Sequence, residues 1–534
     1  MSNIEIKKGR LAVIYGCILA VFLLIIVRMV FIVTFGDKVK ISGLYDSSNS
    51  RKRADIYDRN GVLVATELKT KSLYVSSVLV RDVDIVARGL ASIFSDLTYD
   101  EIHKKISHNK SSKQWILIRR NLTPNQVEKV QNLKLAGLLF EEDRIRVYPQ
   151  KSITSHYIGY VDLDRHGLSG MEMQYDRQLM LGNSVTLALD VRIQDILHDE
   201  LVNGIEEFKA KAAAGIVTDV NTGEVLALSS IPDFDPNLQY EASPDQRFNR
   251  VTNGVYELGS VFKIFTNANA FEDDLVKTTN IYNVKDPIKY GRFTIKDDHP
   301  YKDEMTVTEI FAHSSNIGTV KIAEKIGAKR QKDFLENMGL LKKVEAEFPG
   351  LGRPIYPRNW REISLFTISY GHGIAITPLH LVLAAGAMAN GGTLYKPSFI
   401  KINEQPKGRR VIKESTSAIM RELLRNTALE GTGKKADIEG YEVGGKTGTA
   451  NRAESGGYNE RLTMASFVAV FPISQPKYLV YVIFDRPNYI FNTGGMVAAP
   501  VAGRVVKNIA PLLGVKPKSV VKMPDENVQV PQEM

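Results

Sequence analysis

Hydrophobic positions change their spacing several times along the chain, and each change marks an element. Leu11 to Val27 carries no charge, and after Arg28 the apolar run resumes from Met29 to Phe35, long enough overall to cross a bilayer as one helix. From about residue 40 to 190, short alternating and short helical stretches follow one another. Within them Arg53 to Ala65 reads as a β-hairpin, with Asn60-Gly61 supplying the positive φ angles of a tight turn. Near Val185 to Gln194 a strand runs into a helix that Asp190 can cap. Ala214 to Val220 and Glu224 to Ser230 then make a strand pair around Asn221-Thr222-Gly223. A second pair, Thr463 to Ile473 and Tyr478 to Phe484, is joined by Ser474 to Lys477. Between the pairs lie mostly helical stretches, one of them opened by Thr377-Pro378-Leu379-His380 with an N-cap and a proline at the first position. After about residue 515 periodicity gives way to Lys, Pro, Glu and Gln, which predicts a disordered tail of roughly twenty residues.

Strand hairpins at both ends of a region with helices between them predict an α/β (α+β) domain whose central antiparallel sheet is flanked by helices. The chain divides into a polar tail (1–10), a transmembrane helix (11–35), an N-terminal domain (36–190), a C-terminal domain (191–515) and the final tail (516–534). Lys7, Lys8 and Arg10 keep the first tail in the cytoplasm and send the remainder across the membrane, with Arg28 snorkelling to the far headgroups. A cleaved signal peptide and a lipoprotein fit less well. No small-x-small site follows the run, and Cys17 sits inside it with more apolar residues after it.

The formal net charge of +9 changes this picture little, because the lysines and arginines are scattered instead of forming a stripe with interleaved aromatics. Nucleic acid is a weak partner; anionic headgroups or an acidic polymer suit the charge at least as well. A single cysteine excludes a disulfide framework and a cysteine metal site. Asp55 and Asp58 have no His or Cys nearby but do have Arg53 and Arg59, so turn and ion-pair roles are expected, and Glu172 is expected to hold its domain together. His313, His372 and His380 are each isolated from other ligands, and packing or capping is expected of them. No metal or organic cofactor is indicated.

Candidate chemistry begins at Glu257-Leu258-Gly259-Ser260-Val261-Phe262-Lys263. Ser260 would open a mostly buried helix, and Lys263, three residues on, would share its face. Burial lowers an amine's pKa toward the proton-accepting form, which turns a neighbouring serine into a nucleophile. Ser-x-x-Lys also occurs at Ser107, Ser398, Ser474 and Ser519, so setting distinguishes Ser260, not spacing alone. His313-Ser314-Ser315-Asn316 offers a hydroxyl and a carboxamide between two helices. Gly444-Gly445-Lys446-Thr447-Gly448-Thr449-Ala450 combines a cation, two hydroxyls and glycines that admit a ligand close to the backbone.

Ser-x-x-Lys, Ser-x-Asn and Lys-Thr-Gly in this order resemble the motif set of the penicillin-binding proteins and serine β-lactamases. Arg53 to Ala65, Gly170 to Asp176, Leu187 to Gln194, Gly223 to Asn237, Tyr370 to Gly392 and Gly494 to Pro500 extend the resemblance to class B penicillin-binding proteins over most of residues 50 to 510. Within that class the cell-division member is the better match and the elongation-specific paralogue the alternative; a non-catalytic division scaffold is a third, weaker reading. The resemblance implies an inner-membrane anchor, a non-catalytic pedestal and a periplasmic D,D-transpeptidase domain. It implies Ser260 as nucleophile, Lys263 as base, Ser314 as proton relay and Asn316 as orienting group. Lys446, Thr447, Gly448 and Thr449 would bind substrate, Lys446 would help keep Lys263 neutral by repulsion, and the backbone N–H groups of Ser260 and Thr449 would form the oxyanion hole. Stem peptides, β-lactams as covalent ligands, a SEDS-type glycan polymerase and other divisome proteins are the implied partners. Two departures stand out: Leu258 replaces the usual proline and Val261 the usual threonine, changes expected to loosen the turn and to remove a hydroxyl near Ser260.

Overall fold

The computed structural model describes residues 15–16, 18–28, 52–108, 115–291, 293–298, 301–454, 457–488, 490 and 492–518. The expected membrane helix lies largely outside these. Its described part, 15–16 and 18–28, is helical with exposed apolar side chains. No helix among the described residues is long and apolar enough to cross a membrane. The expected final tail lies outside them from residue 519 on.

The N-terminal region is built on one long strand, β1 (Leu63–Ser76), which pairs antiparallel with β2 (Trp115–Leu122) on one side and β3 (Leu138–Val147) on the other. Helices α1 (Val83–Ala91) and α2 (Tyr99–His108) cover it, α1 capped by Asp82. Leu73, Val75, Val86, Leu90, Ile102 and Ile106 form a core of their own there. The base of the region behaves differently. Ala54, Ile56, Val64, Tyr148, Tyr157 and Leu187 belong to the same hydrophobic core as Phe262, Phe265 and Ile317 of the C-terminal part. Head and base are thus separate bodies of packing, and the base is continuous with the domain it supports.

The hairpin at Ile56–Tyr57 and Leu63 forms, but its turn differs from the expectation. Gly61 alone has a positive φ, +84°. Asp58 Oδ1 accepts from the backbone N–H of Asn60 and of Val62, so a side chain closes the turn and Asn60 is spared the left-handed region. The expected ion pairing is also redistributed. Asp55 pairs with Lys52, while Arg53 is fully buried and bonds Glu172 at 2.6 Å and Asp176 at 2.7 Å. Arg146 adds a second bond to Glu172, so that carboxylate ties the strand bearing Arg146 to the hairpin, the structural role expected of it. Buried charges persist only when paired in this way.

The second sheet has five strands, all antiparallel, in the order β6-β7-β8-β4-β5. These are β4 (Ala212–Asp219), β5 (Val225–Ile231), β6 (Gly444–Glu454), β7 (Gly457–Phe471) and β8 (Tyr478–Asp485). The two expected strand pairs are present, joined edge to edge by β8 and β4. Side chains alternate across the sheet: Ala465, Phe467 and Ala469 pack under α3 (Val191–Phe208) and α6 (Ala498–Ile509), while Val468 and Val470 face the helical layer containing α4 (Lys263–Glu272) and α5 (Asn316–Ile326). Asp190 caps α3 and Thr377 caps the Pro378–Ala389 helix as expected. The strand carrying Lys446 was not foreseen as a strand. It is the edge of the sheet, and that edge borders the site.

Candidate active site

Three elements converge on the edge of β6. Gly259 to Phe262 form one 3-10 turn, after which Lys263 begins α4. Gly259 has φ +57°, and a Cβ there would come to 2.0 Å from the carbonyl oxygen of Thr449 on β6. Only glycine lets the turn lie that close. Ser260 lines an open cleft of ≈ 710 Å³, together with Ser314, Asn316, Thr447 and Thr449.

Lys263 and Lys446 are both fully buried behind that surface. The Lys263 ammonium nitrogen donates to Ser314 O at 2.5 Å, Ser314 Oγ at 3.1 Å and Asn316 Oδ1 at 2.7 Å. Ser314 can offer both oxygens because its φ is +61°, a left-handed conformation that costs a non-glycine residue about 1–2 kcal/mol. Lys446 Nζ donates to the same Ser314 Oγ at 2.9 Å, so one hydroxyl links the two amines. Lys263 thus reaches Ser314 and Asn316 in this state, and no hydrogen bond joins it to Ser260 among the described residues.

Burial pushes the Lys263 amine down to about 7, against Asp297 and Asp298, which pull it up. Lys446 is held well below the ordinary lysine value by burial first and the Lys263 charge second. Lys446 was expected to help keep Lys263 neutral by repulsion: the two amines share one hydroxyl out of water, burial lowers both, and their repulsion is mutual. Two cations sharing one hydroxyl out of water are disfavoured, and at neutral pH the proton-accepting form of the pair is readily available.

Thr447 and Thr449, two apart on β6, present their side chains to the cleft, whereas Lys446 does not reach its surface. Thr447 Oγ1 bonds Thr432 Oγ1 at 2.7 Å, and Thr449 Oγ1 accepts from Gly494 N at 3.0 Å. In a strand the N–H and C=O of one residue point to the same edge. Since Thr449 O faces Gly259, its N–H points to the free edge beside Ser260.

These observations concern a fold with known relatives. The penicillin binding protein transpeptidase domain matches residues 213–507, and the penicillin-binding protein dimerisation domain matches 48–185. A protein of Caulobacter vibrioides called probable peptidoglycan D,D-transpeptidase FtsI is 37% identical over 89% of this chain and 84% of its own. This chain belongs to the class B penicillin-binding proteins. FtsI of Escherichia coli is 27% identical over 96% of this class B protein and 93% of its own chain. Stage V sporulation protein D of Bacillus subtilis is 30% identical over 97% and 88%. The fold is shared with penicillin binding protein 3 of Mycobacterium tuberculosis complexed with aztreonam, at a TM-score of 0.69 and 23% identity over 88% of this chain and 97% of that one.

The two departures from the usual motif can now be located in this penicillin-binding protein. Leu258 and Val261 are buried, and both pack against Gly448 of β6, where a Cβ would meet Val261 Cγ2 at 2.5 Å and Leu258 O at 2.6 Å. Val261 therefore faces the sheet and not the cleft. The turn stays tied without a proline, through Gly259 N to Gly371 O and Gly373 N to Glu257 Oε1.

Sequence reasoning missed Asp297. It accepts from Ser315 Oγ at 2.7 Å, Asn316 N at 2.5 Å and Ile317 N at 3.0 Å, pinning the start of α5 from a separate loop. No spacing rule connects an acid to a motif eighteen residues away. His380 caps and packs as expected, between Thr377 and Lys342 O. His313 and His372 also line the cleft, which their isolation in sequence concealed.

Proposed function

We propose that this protein is a membrane-anchored peptidoglycan D,D-transpeptidase of the bacterial division septum, working through an acyl-enzyme on Ser260. The observation that carries the reading is the buried amine pair: a lysine lowered to about 7, three residues from a cleft serine and fixed by Ser314 and Asn316. Ser260 Oγ attacks the penultimate D-Ala carbonyl of a stem peptide ending in D-Ala-D-Ala, and its proton passes to Lys263. The backbone N–H groups of Ser260 and Thr449 stabilise the oxyanion, at about 3–4 kcal/mol per donor in comparable sites. Ser314, bonded to both amines, hands a proton to the departing amine of the terminal D-Ala. The ester that remains is attacked by an amine of a neighbouring stem; an amide cross-link forms and Ser260 recovers its proton.

Thr447 and Thr449 meet the terminal carboxylate directly, over the Gly448 backbone, and Lys446 lies behind them, where the bound carboxylate favours its charged form. A β-lactam resembles the D-Ala-D-Ala end and acylates the same serine with slow release. Residues 1–10 stay in the cytoplasm, 11–35 form the anchor in the inner membrane, 36–190 the pedestal and 191–515 the periplasmic transpeptidase domain. Membrane helix and pedestal contact a SEDS-type glycan polymerase and other divisome proteins.

Incubation of the full-length protein with glycan strands bearing pentapeptides tests the reaction. One D-Ala should appear per cross-link formed, and neither should appear with Ser260→Ala. Filaments on depletion in cells support the septal role, and rounded cells would transfer the protein to elongation.

A further inference from the structure

A second cavity, of ≈ 310 Å³, lies away from the cleft, between the base of the pedestal and the transpeptidase domain. Its apolar walls include Phe234 and Phe348, both buried, and Met173, half exposed. Thr252 also lines it, at 1% exposure, and its Oγ1 has no hydrogen-bond partner. Buried hydroxyls in native proteins are nearly always bonded, so this one has a hydrogen bond to offer a group that enters the cavity. Beside it Asn253 holds an exposed carboxamide without a hydrogen bond among the described residues. The backbone keeps it there by using glycine at 350, where a Cβ would come to 3.2 Å from Asn253 Oδ1. Arg247 brings a guanidinium whose hydrogen bond among the described residues is to Ala242 O.

Aromatic and thioether walls, a hydroxyl and a carboxamide together match an acetamido group: methyl against the apolar side chains, carbonyl oxygen accepting from Thr252 and Asn253. We propose that this cavity is a subsite for the N-acetylated sugars of the glycan strand that carries the stem peptide, with Arg247 placed for the amide carbonyls at the root of the stem. The proposal rests on the transpeptidase reading and extends it from the peptide to the polymer. The span to be bridged is bounded by the chain. Asn253 and Ser260 are seven residues apart in the chain, at most about 25 Å, and the path turns at Gly259. A stem of four residues between sugar and scissile carbonyl reaches about 14 Å when extended, with the sugar's own linker still to add. Tyr256, midway, pairs with Ile376, four residues from His372 of the cleft wall, so cavity and cleft share one continuous backbone.

The test is binding of the N-acetylglucosamine tetramer, and of the same tetramer stripped of its acetyl groups, to the full chain in detergent, followed by saturation-transfer NMR and titration. Fluorescent penicillin labelling is run in parallel. Thr252→Val removes only the unpaired hydroxyl and keeps its shape, so folding is maintained, and Met173→Arg fills the mouth from an exposed position. Expected are saturation strongest at the acetyl methyls, no binding of the stripped tetramer, affinity about tenfold weaker in Thr252→Val and absent in Met173→Arg, with labelling unchanged in both. A parent that takes label but ignores the acetylated tetramer overturns the proposal. Equal affinity in parent and both variants, or for both tetramers, does so as well. A parent that binds the sugar but takes no label contradicts the transpeptidase reading instead and leaves the sugar subsite standing.

Discussion

The proposed chemistry turns on one amine. Lys263 sits at about 7 because it is out of water, and its bonds to Ser314 and Asn316 fix its direction. If its neutral form is the base, the rate of acylation by a penicillin falls tenfold per pH unit below about 7 and is flat above. Stopped-flow acylation between pH 5.5 and 9 checks this, and a rate still rising tenfold per unit at pH 9 would contradict it. The same shift affects stability. The folded value lies below the unfolded one of 10.5, so between them the unfolded chain binds the extra proton. Lys263 therefore costs stability most below pH 7, and the cost fades as pH rises toward 10.5. Lys263→Met should abolish acylation while raising the melting temperature at pH 7, a trade common at active sites. Ser260, Lys263, Ser314, Asn316 and Lys446 were legible in sequence because each lies in a short motif. The left-handed backbone of Ser314 was not, since nothing local in His-Ser-Ser-Asn demands it; the demand comes from Lys263, fifty-one residues away.

At the scale of elements, the site is a turn, a helix start and a strand edge held within contact distance. Gly259→Ala should push the turn off β6 and lower acylation by about a hundredfold, since small misplacements of reacting groups cost that much. Penicillin labelling kinetics with the folded variant measure it. Asp297→Ala releases Ser315, Asn316 and Ile317 from their external cap and should slow acylation about tenfold, with about 1 kcal/mol lost in stability. Rate and melt measured together separate the two effects. The hairpin strands were readable because alternation survives in Val, Ile, Phe and Tyr runs. Strand β6 was not, because Gly444, Gly445 and Gly448 dilute the β signal. Packing explains them: a Cβ at Gly445 would come to 2.4 Å from Val468 O, and one at Gly448 to 2.4 Å from Ser466 Oγ. Tertiary crowding, invisible in a single segment, selects glycine there over a residue that would advertise a strand.

Over the whole molecule, the transpeptidase domain is supported by a base that shares its core and carries a buried ion network. Arg53→Met would leave Glu172 with one cation fewer in a site fully closed to water, at a cost of about 3 kcal/mol or more. Thermal unfolding should register it as a lower melting temperature, and an unchanged melt would show that Arg146 alone suffices. In the proposed mechanism this architecture serves one central event, formation of an ester on Ser260. Labelling of the full chain with fluorescent penicillin, beside Ser260→Ala and Lys263→Ala, tests that event most directly, with the modified peptide mapped by mass spectrometry. The account predicts stable label on the peptide holding Ser260, none on Ser260→Ala and a large loss of rate in Lys263→Ala. Label that persists on Ser260→Ala, or a folded parent that takes none, would contradict it.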